Sequence, residues 1–178
     1  EVRDRNGVLL RAYQVEDGIW RMALAGDQVD PRFFDMLVAY EDRRFYRHSG
    51  VDALAVLRAA GQGLTAGRIV SGASTLTMQV ARLLEDSGTG TWEGKLRQVR
   101  LALALERQLT KAQILQLYLG RAPYGGNVEG LRAASLVWFG KEPARLTPAQ
   151  IALLVALPQS PEARRPDRHP QAARAARD

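Results

Sequence analysis

A carboxylate stands where a helix would bury it. Phe34, Leu37, Val38 and Glu41 recur at offsets of three and four, which puts Glu41 on the apolar face of a helix. A carboxylate there costs free energy unless it is paired or has its pKa raised, and a raised pKa suits a general base working near neutrality. The stretch Glu41-Asp42-Arg43-Arg44-Phe45-Tyr46-Arg47-His48-Ser49-Gly50-Val51-Asp52 crowds more polar groups nearby, with Asp42 and Asp52 bracketing His48. A structural reading is equally open on these residues alone. In it Glu41 pairs with Arg43, Arg44 or His48, and Asp52 caps the next helix.

Two further sets carry polar chemistry. After Ser74, Thr75, Gln79 and Arg82 share one helical face, and Leu76, Val80 and Leu83 share another. The first face offers a hydroxyl, an amide and a guanidinium, either to a substrate or to water. Further on, Lys95 and Gln98 lie one turn apart, with Arg97 and Arg100 beside them. Such cations suit a pyrophosphate clamp, and equally a solvated basic face.

The elements that must position these residues are legible from caps and periodicity. Residues 2–24 read as an extended hairpin, with turns at Asn6-Gly7 and Glu16-Asp17-Gly18. Asp30-Pro31 starts a helix to about Arg44, and Asp52 caps a second to about Leu64. The glycine-spaced, apolar stretch 53–70, with Arg58 and Arg68, reads as a small mobile lobe facing a membrane, or as a plain surface segment. Ser74 caps a helix to about Leu84, a Gly/Ser/Thr loop fills 85–91, and Thr91 caps a long helix to about Leu109 with an apolar stripe of Leu96, Val99 and Leu103. Thr110 to Gln113 form a capping box. Asn127 caps a helix ending at Gly140, and Thr147-Pro148-Ala149-Gln150 opens one closed by Pro158. The Pro-, Arg- and Ala-rich tail from Ser160 reads as a linker. The expected fold is mainly α: a lead-in hairpin over 1–28, the main domain over 29–159 and the linker over 160–178.

Composition narrows the function. The 178 residues suit one domain, and a net charge of +6 suggests an anionic partner. Aromatic residues are 7% and do not alternate with basic ones, which weighs against nucleic acid. Without cysteine there are no disulfides or thiolate metal sites. His48 and His169 stand far apart, so no metal-ligand cluster is visible, and there is no phosphate-binding or dinucleotide glycine fingerprint. No apolar run approaches the roughly 18 residues of a membrane span. No signal peptide is visible, and the chain reads as a domain from something longer.

Glu41-Asp42-x-x-Phe45-x-x-His48-x-Gly50-x-Asp52 resembles, at all six defined positions, the first signature of the peptidoglycan glycosyltransferases, glycosyltransferase family 51. Gly72-Ala73-Ser74-Thr75-Leu76-Thr77-Met78-Gln79 resembles the second, with Ala73 and Met78 replacing a Gly and a Gln. Gly94-Lys95-Leu96-Arg97-Gln98 resembles the third, Arg-Lys-x-x-Glu, keeping only the Lys. Ile114 to Gly120 resembles the fourth, with Gly120 for the usual Asn, and Ala133-Ala134 with Trp138 to Lys141 resembles the fifth. The variant third signature, with Arg121 to Gly126 and Leu157 to Pro161, is most similar to the 1C type of bifunctional penicillin-binding proteins.

The resemblance implies a lysozyme-like helical fold and polymerisation of lipid II into glycan strands at a bacterial inner membrane, on its periplasmic face. It implies Glu41 as general base, Lys95 as first choice to steady the departing pyrophosphate, with Arg82 and Arg97 as candidates, and Asp42, Phe45, His48, Ser74, Thr75, Gln79 and Gln98 as substrate-binding positions. No cofactor is required, although the analogy allows a divalent cation, Mg or Mn, near the pyrophosphate. Implied partners are lipid II, lipid-linked glycan, the membrane surface and a covalently linked transpeptidase domain absent here. The alternatives are a lysozyme-like or lytic hydrolase and a non-catalytic lipid II-binding module.

Overall fold

Asp30 opens the first helix as its spacing requires: Oδ1 accepts the Arg32 backbone N–H at 3.0 Å, and Pro31 occupies the first helical position. The structure, a computed structural model, describes residues 1–66, 74–85 and 91–178. Gly67, Arg68, Val70, the Gly72-Ala73 start of the second signature and most of the 85–91 loop lie outside the described residues. The chain divides into two units, Glu1–Met36 with Leu119–Asp178, and Leu37–Tyr118. It passes from the first to the second within α1 (Pro31–Glu41) and returns within α5 (Lys111–Arg121). Among the described residues the fold is mainly helical with a short N-terminal hairpin, as the resemblance implies.

In the first unit, β1 (Val2–Arg3) pairs antiparallel with β2 (Leu9–Arg11) across the Asn6-Gly7 turn. The hairpin does not extend to residue 24. Instead β3 (Trp20–Arg21) pairs in parallel with β4 (Val128–Glu129), and an Arg21–Glu129 ion pair joins them. Helices α6 (Leu131–Phe139) and α7 (Pro148–Ala156) follow. Asn127 does not cap α6: its side chain donates to the Gly18 carbonyl at 2.6 Å. Gly130 takes the cap position at φ 82°, where an added Cβ would stand 3.0 Å from the Gly120 carbonyl oxygen. Gly140 ends α6 in the left-handed conformation, and the Thr147–Gln150 capping box opens α7, both as expected.

Residues 160–178 are more than a linker. They belong to this unit and carry α8 (Pro170–Arg177), which packs on α7 with Ala173 buried. Arg164 donates to the Ala156 carbonyl at 2.7 Å, and the Glu162 carboxylate accepts the Gly126 N–H at 2.5 Å. Arg165 lies so close over Gly125 that an added Cβ there would meet its Cγ at 2.5 Å. Arginines that satisfy helix-end carbonyls and cover glycines dock a segment whose composition alone suggests mobility.

The second unit holds the residues of interest. Helix α1 stops at Glu41, short of Arg44, because the chain turns at Asp42 into a 3-10 turn over Phe45–Arg47 that buries Phe45. Asp52 caps α2 (Ala53–Ala66) through the Leu54 and Ala55 amides at 3.0 and 3.2 Å. Helix α3 (Leu76–Glu85) is capped by Thr75, not Ser74: Thr75 Oγ1 accepts the Met78 N–H at 3.1 Å. Thr91 caps α4 (Trp92–Gln108) through the Gly94 N–H at 3.0 Å. Of the expected stripe on α4 Val99 packs inward, while Leu96 is 62% and Leu103 39% exposed. The buried line is Gln98 and Ala102, and Ala102 joins Met78 and Ala81 of α3, with Val51, Val99, Leu101 and Leu105 packed around them. Gly50, at φ 93°, comes so near α4 that a Cβ added to it would lie 2.7 Å from the Ala102 backbone carbonyl oxygen, so position 50 requires glycine.

Candidate active site

Glu41 ends α1, half-buried, and Oε2 accepts a hydrogen bond from Gln79 Nε2 of α3 at 2.8 Å. The two helices thus bring together the proposed base and a neutral donor that orients it. Neighbouring arginines are otherwise engaged: Arg43 Nε donates to the Ala39 carbonyl at 3.2 Å, and Arg44 pairs with Asp52 at 3.1 Å.

Asp42 is 8% exposed and works as a brace. One oxygen accepts the Leu76 N–H, at the start of α3, at 3.0 Å. His48 Nε2 lies 3.1 and 3.0 Å from its two oxygens. A carboxylate only accepts, so Nε2 carries the hydrogen. His48 Nδ1 is buried and has no hydrogen-bond partner among the described residues. Phe45 meets the His48 ring edge-on at a centroid distance of 6.3 Å. Thr75 is buried and its hydroxyl donates to the Gly50 carbonyl at 2.6 Å while capping α3. Four residues expected to touch substrate, Asp42, Phe45, His48 and Thr75, are therefore turned inward, and what they visibly do is fix Glu41 and α3 in register.

One cation meets the residue just before Thr75 and α3, and another lies one turn beyond Gln79. Lys95 Nζ donates to Ser74 Oγ at 2.5 Å. Partial burial, and secondly the Arg82 guanidinium, hold the Lys95 ammonium below the ordinary lysine range. Arg82 sits three residues after Gln79 on α3, so one helix links the carboxylate to the cation pair. Arg97 is exposed, and two positions from Lys95 place it on the far side of α4. Gln98 is 7% exposed, one turn before Ala102 on the buried line of α4. A neutral amide is buried there at far lower cost than the carboxylate of the third signature.

Three residues of this site, Lys111, Glu106 and Thr77, were given no role by sequence reasoning. Lys111 Nζ donates to the His48 carbonyl at 2.7 Å and to Glu106 Oε1 at 2.6 Å, and stands 4.3 Å from the Phe45 ring centroid. Thr77 Oγ1 donates to the same Glu106 oxygen at 2.6 Å. Only the placing of Lys111 behind a capping threonine was visible, and that signal is about helix starts. Among the described residues no three His, Asp or Glu side chains converge to hold a metal. Lys95 occupies the Ser74 hydroxyl, and Gln98 supplies an amide where the third signature has a carboxylate. This donor set does not fit a divalent cation, and no step below runs through one. What the arrangement can do is accept a proton at Glu41 and balance negative charge at Lys95 and Arg82.

The family model described as Transglycosylase matches residues 6–178. Penicillin-binding protein 1C of Escherichia coli (strain K12) is 50% identical over 174 residues, 98% of this chain and 22% of that protein. Penicillin-binding protein 1A of Aquifex aeolicus (strain VF5) is 37% identical over 173 residues, 97% of this chain and 23% of that protein. Penicillin-binding protein 1F of Bacillus subtilis (strain 168) is 33% identical over 178 residues, 100% of this chain and 24% of that protein. The chain therefore spans 22% to 24% of the length of these relatives.

Proposed function

This chain belongs to the transglycosylase family, and from that premise we propose that it is a peptidoglycan glycosyltransferase that polymerises lipid II into glycan strands, with Glu41 as general base. Glu41 takes the proton of the acceptor sugar's 4-hydroxyl. The oxygen attacks the donor's anomeric carbon with inversion, a β-1,4 bond forms, and the bond to the pyrophosphate breaks with its electron pair leaving on undecaprenyl pyrophosphate. Lys95 and Arg82 stabilise the charge that develops there. Gln79, donating to Glu41, keeps the carboxylate aimed while the proton moves.

The observation that carries this reading is α3 itself, which grips the carboxylate through Gln79, starts beside the Lys95–Ser74 contact and carries Arg82 one turn beyond Gln79. A hydrolase acting on finished strands has no pyrophosphate to release and no use for that cation pair. No helix among the described residues is long and apolar enough to cross a membrane. Leu54 and Leu57 on α2 are 55% and 68% exposed, and the exposed Arg58 stands beside them. These support a membrane-facing surface near the lipid tails of the substrates, at the periplasmic face of the bacterial inner membrane.

Incubation with labelled lipid II in detergent, followed by sizing of the products, tests the reading. Wild-type protein makes glycan polymer, and Glu41→Gln loses about 10²–10⁴ in rate while keeping its fold. Digestion of purified sacculi without polymer formation would establish the hydrolase instead, and retained turnover in Glu41→Gln would move the base elsewhere.

A further inference from the structure

From the contacts of one ammonium and one carboxylate we infer that Lys111 and Glu106 are positioning residues for the base, holding the turn that follows Glu41. Two of the three Lys111 donors are committed, to the His48 carbonyl at 2.7 Å and Glu106 Oε1 at 2.6 Å, and the charge rests 4.3 Å from the Phe45 ring centroid. The turn over residues 45–48 is thus held from below by Lys111 and from the side by Asp42. Glu106 closes the frame, because the oxygen that takes Lys111 also takes the Thr77 hydroxyl at 2.6 Å. Thr77 lies on α3 between Leu76, whose N–H holds Asp42, and Gln79, which holds Glu41. One ion pair therefore fastens both sides of the base: the turn behind it and the helix in front of it.

The pair is poorly placed to bind substrate. The side chains of Glu106 and Lys111 are 7% and 21% exposed. It is also a weak source of stability, since a buried pair gains little over apolar groups of equal volume. What it does supply is fixed geometry, and an ångström of misplacement at a reacting group costs about 10²-fold in rate.

The inference rests on the glycosyltransferase reading, and its test separates the two. Lys111→Met, Glu106→Gln, Lys111→Arg and the double variant Lys111→Met/Glu106→Gln are assayed with lipid II in detergent, and amide hydrogen exchange is followed over residues 42–48. The first two lower kcat by about 10- to 100-fold with KM held within about twofold, and the double variant is no slower than the slower single. Lys111→Arg, which keeps charge and donors, recovers part of the loss. Exchange at the Phe45 and Arg47 amides quickens in Lys111→Met. A rise in KM with kcat intact would overturn the inference and make Lys111 a phosphate ligand; unchanged kcat would overturn it outright. If Lys111→Met does not fold, Thr77→Val removes one hydroxyl from the same frame, and normal kcat there refutes the inference. If wild-type protein makes no polymer, the functional reading fails first, and exchange unaltered in Lys111→Met then rejects the positioning role on its own.

Discussion

Replacing Asp42 by Ala removes the carboxylate that joins the turn after Glu41 to the first amide of α3, and its cost follows from the contacts. Two donors lose their acceptor: the Leu76 N–H at 3.0 Å and His48 Nε2 at 3.0 Å. Asp42 is 8% exposed and the His48 side chain 5%, so water does not replace it freely. Each buried donor left unsatisfied costs about 1–3 kcal/mol. Loss of a carboxylate at the N-terminus of a helix adds about 0.3–1 kcal/mol. Asp42→Ala is expected to lower the stability by about 3–5 kcal/mol. Asp42→Asn keeps an oxygen for Leu76 and turns its NH2 to His48, whose ring adapts by changing tautomer. Its cost is expected to be about 1–2 kcal/mol. Urea unfolding at pH 7, followed by far-ultraviolet circular dichroism, measures both, with the urea dependence unchanged between variants. A loss below about 1 kcal/mol for Ala, or equal losses for Ala and Asn, would refute the bracing role.

Three other outcomes follow from the same geometry. Lys95→Met is expected to lower the polymerisation rate by at least about tenfold and Lys95→Arg by less, because the charge and not the chain length steadies the pyrophosphate; initial rates with lipid II decide it. Leu54→Ser with Leu57→Ser should weaken sedimentation with anionic vesicles and leave thermal unfolding unchanged, both side chains being exposed in the folded chain. Gln98→Glu puts a carboxylate at a position only 7% exposed, so its folded-state pKa lies above the unfolded value. The variant should be less stable than wild type at pH 8 and regain stability as pH falls through that raised pKa, since the proton then binds the folded state more tightly. Equal denaturation midpoints for the two proteins at pH 8 would show that Lys95, one turn away, compensates the charge.

What the sequence made legible was local. Asp52, Thr91, the Thr110–Gln113 box and the Thr147–Gln150 box all cap the helices assigned to them, because a cap is decided within four residues. The place of Glu41 on the first helix was legible for the same reason, from helical spacing. Contacts between distant segments were not. Trp20 pairs with Val128, Asp42 reaches Leu76, and Lys111 holds His48, and no periodicity announces a partner so far along the chain. Ser74 and Thr75 both carry a capping hydroxyl, and in the fold Thr75 bonds the Gly50 carbonyl and caps α3 while Ser74 meets Lys95. On α4 two stripes overlap, and the buried one runs through Gln98 and Ala102, where the α4 backbone passes so close to position 50 that only glycine fits there.

The docked tail changes what can be attached to this chain and where. A flexible stretch over residues 160–178 would give anything joined beyond it a reach of roughly 25 Å. With Arg164 on the Ala156 carbonyl, Glu162 on the Gly126 amide and α8 against α7, that slack is taken up before the last residue. In a longer protein the next segment would inherit a heading set by α7 and α8, and its freedom of movement would have to come from residues beyond Asp178.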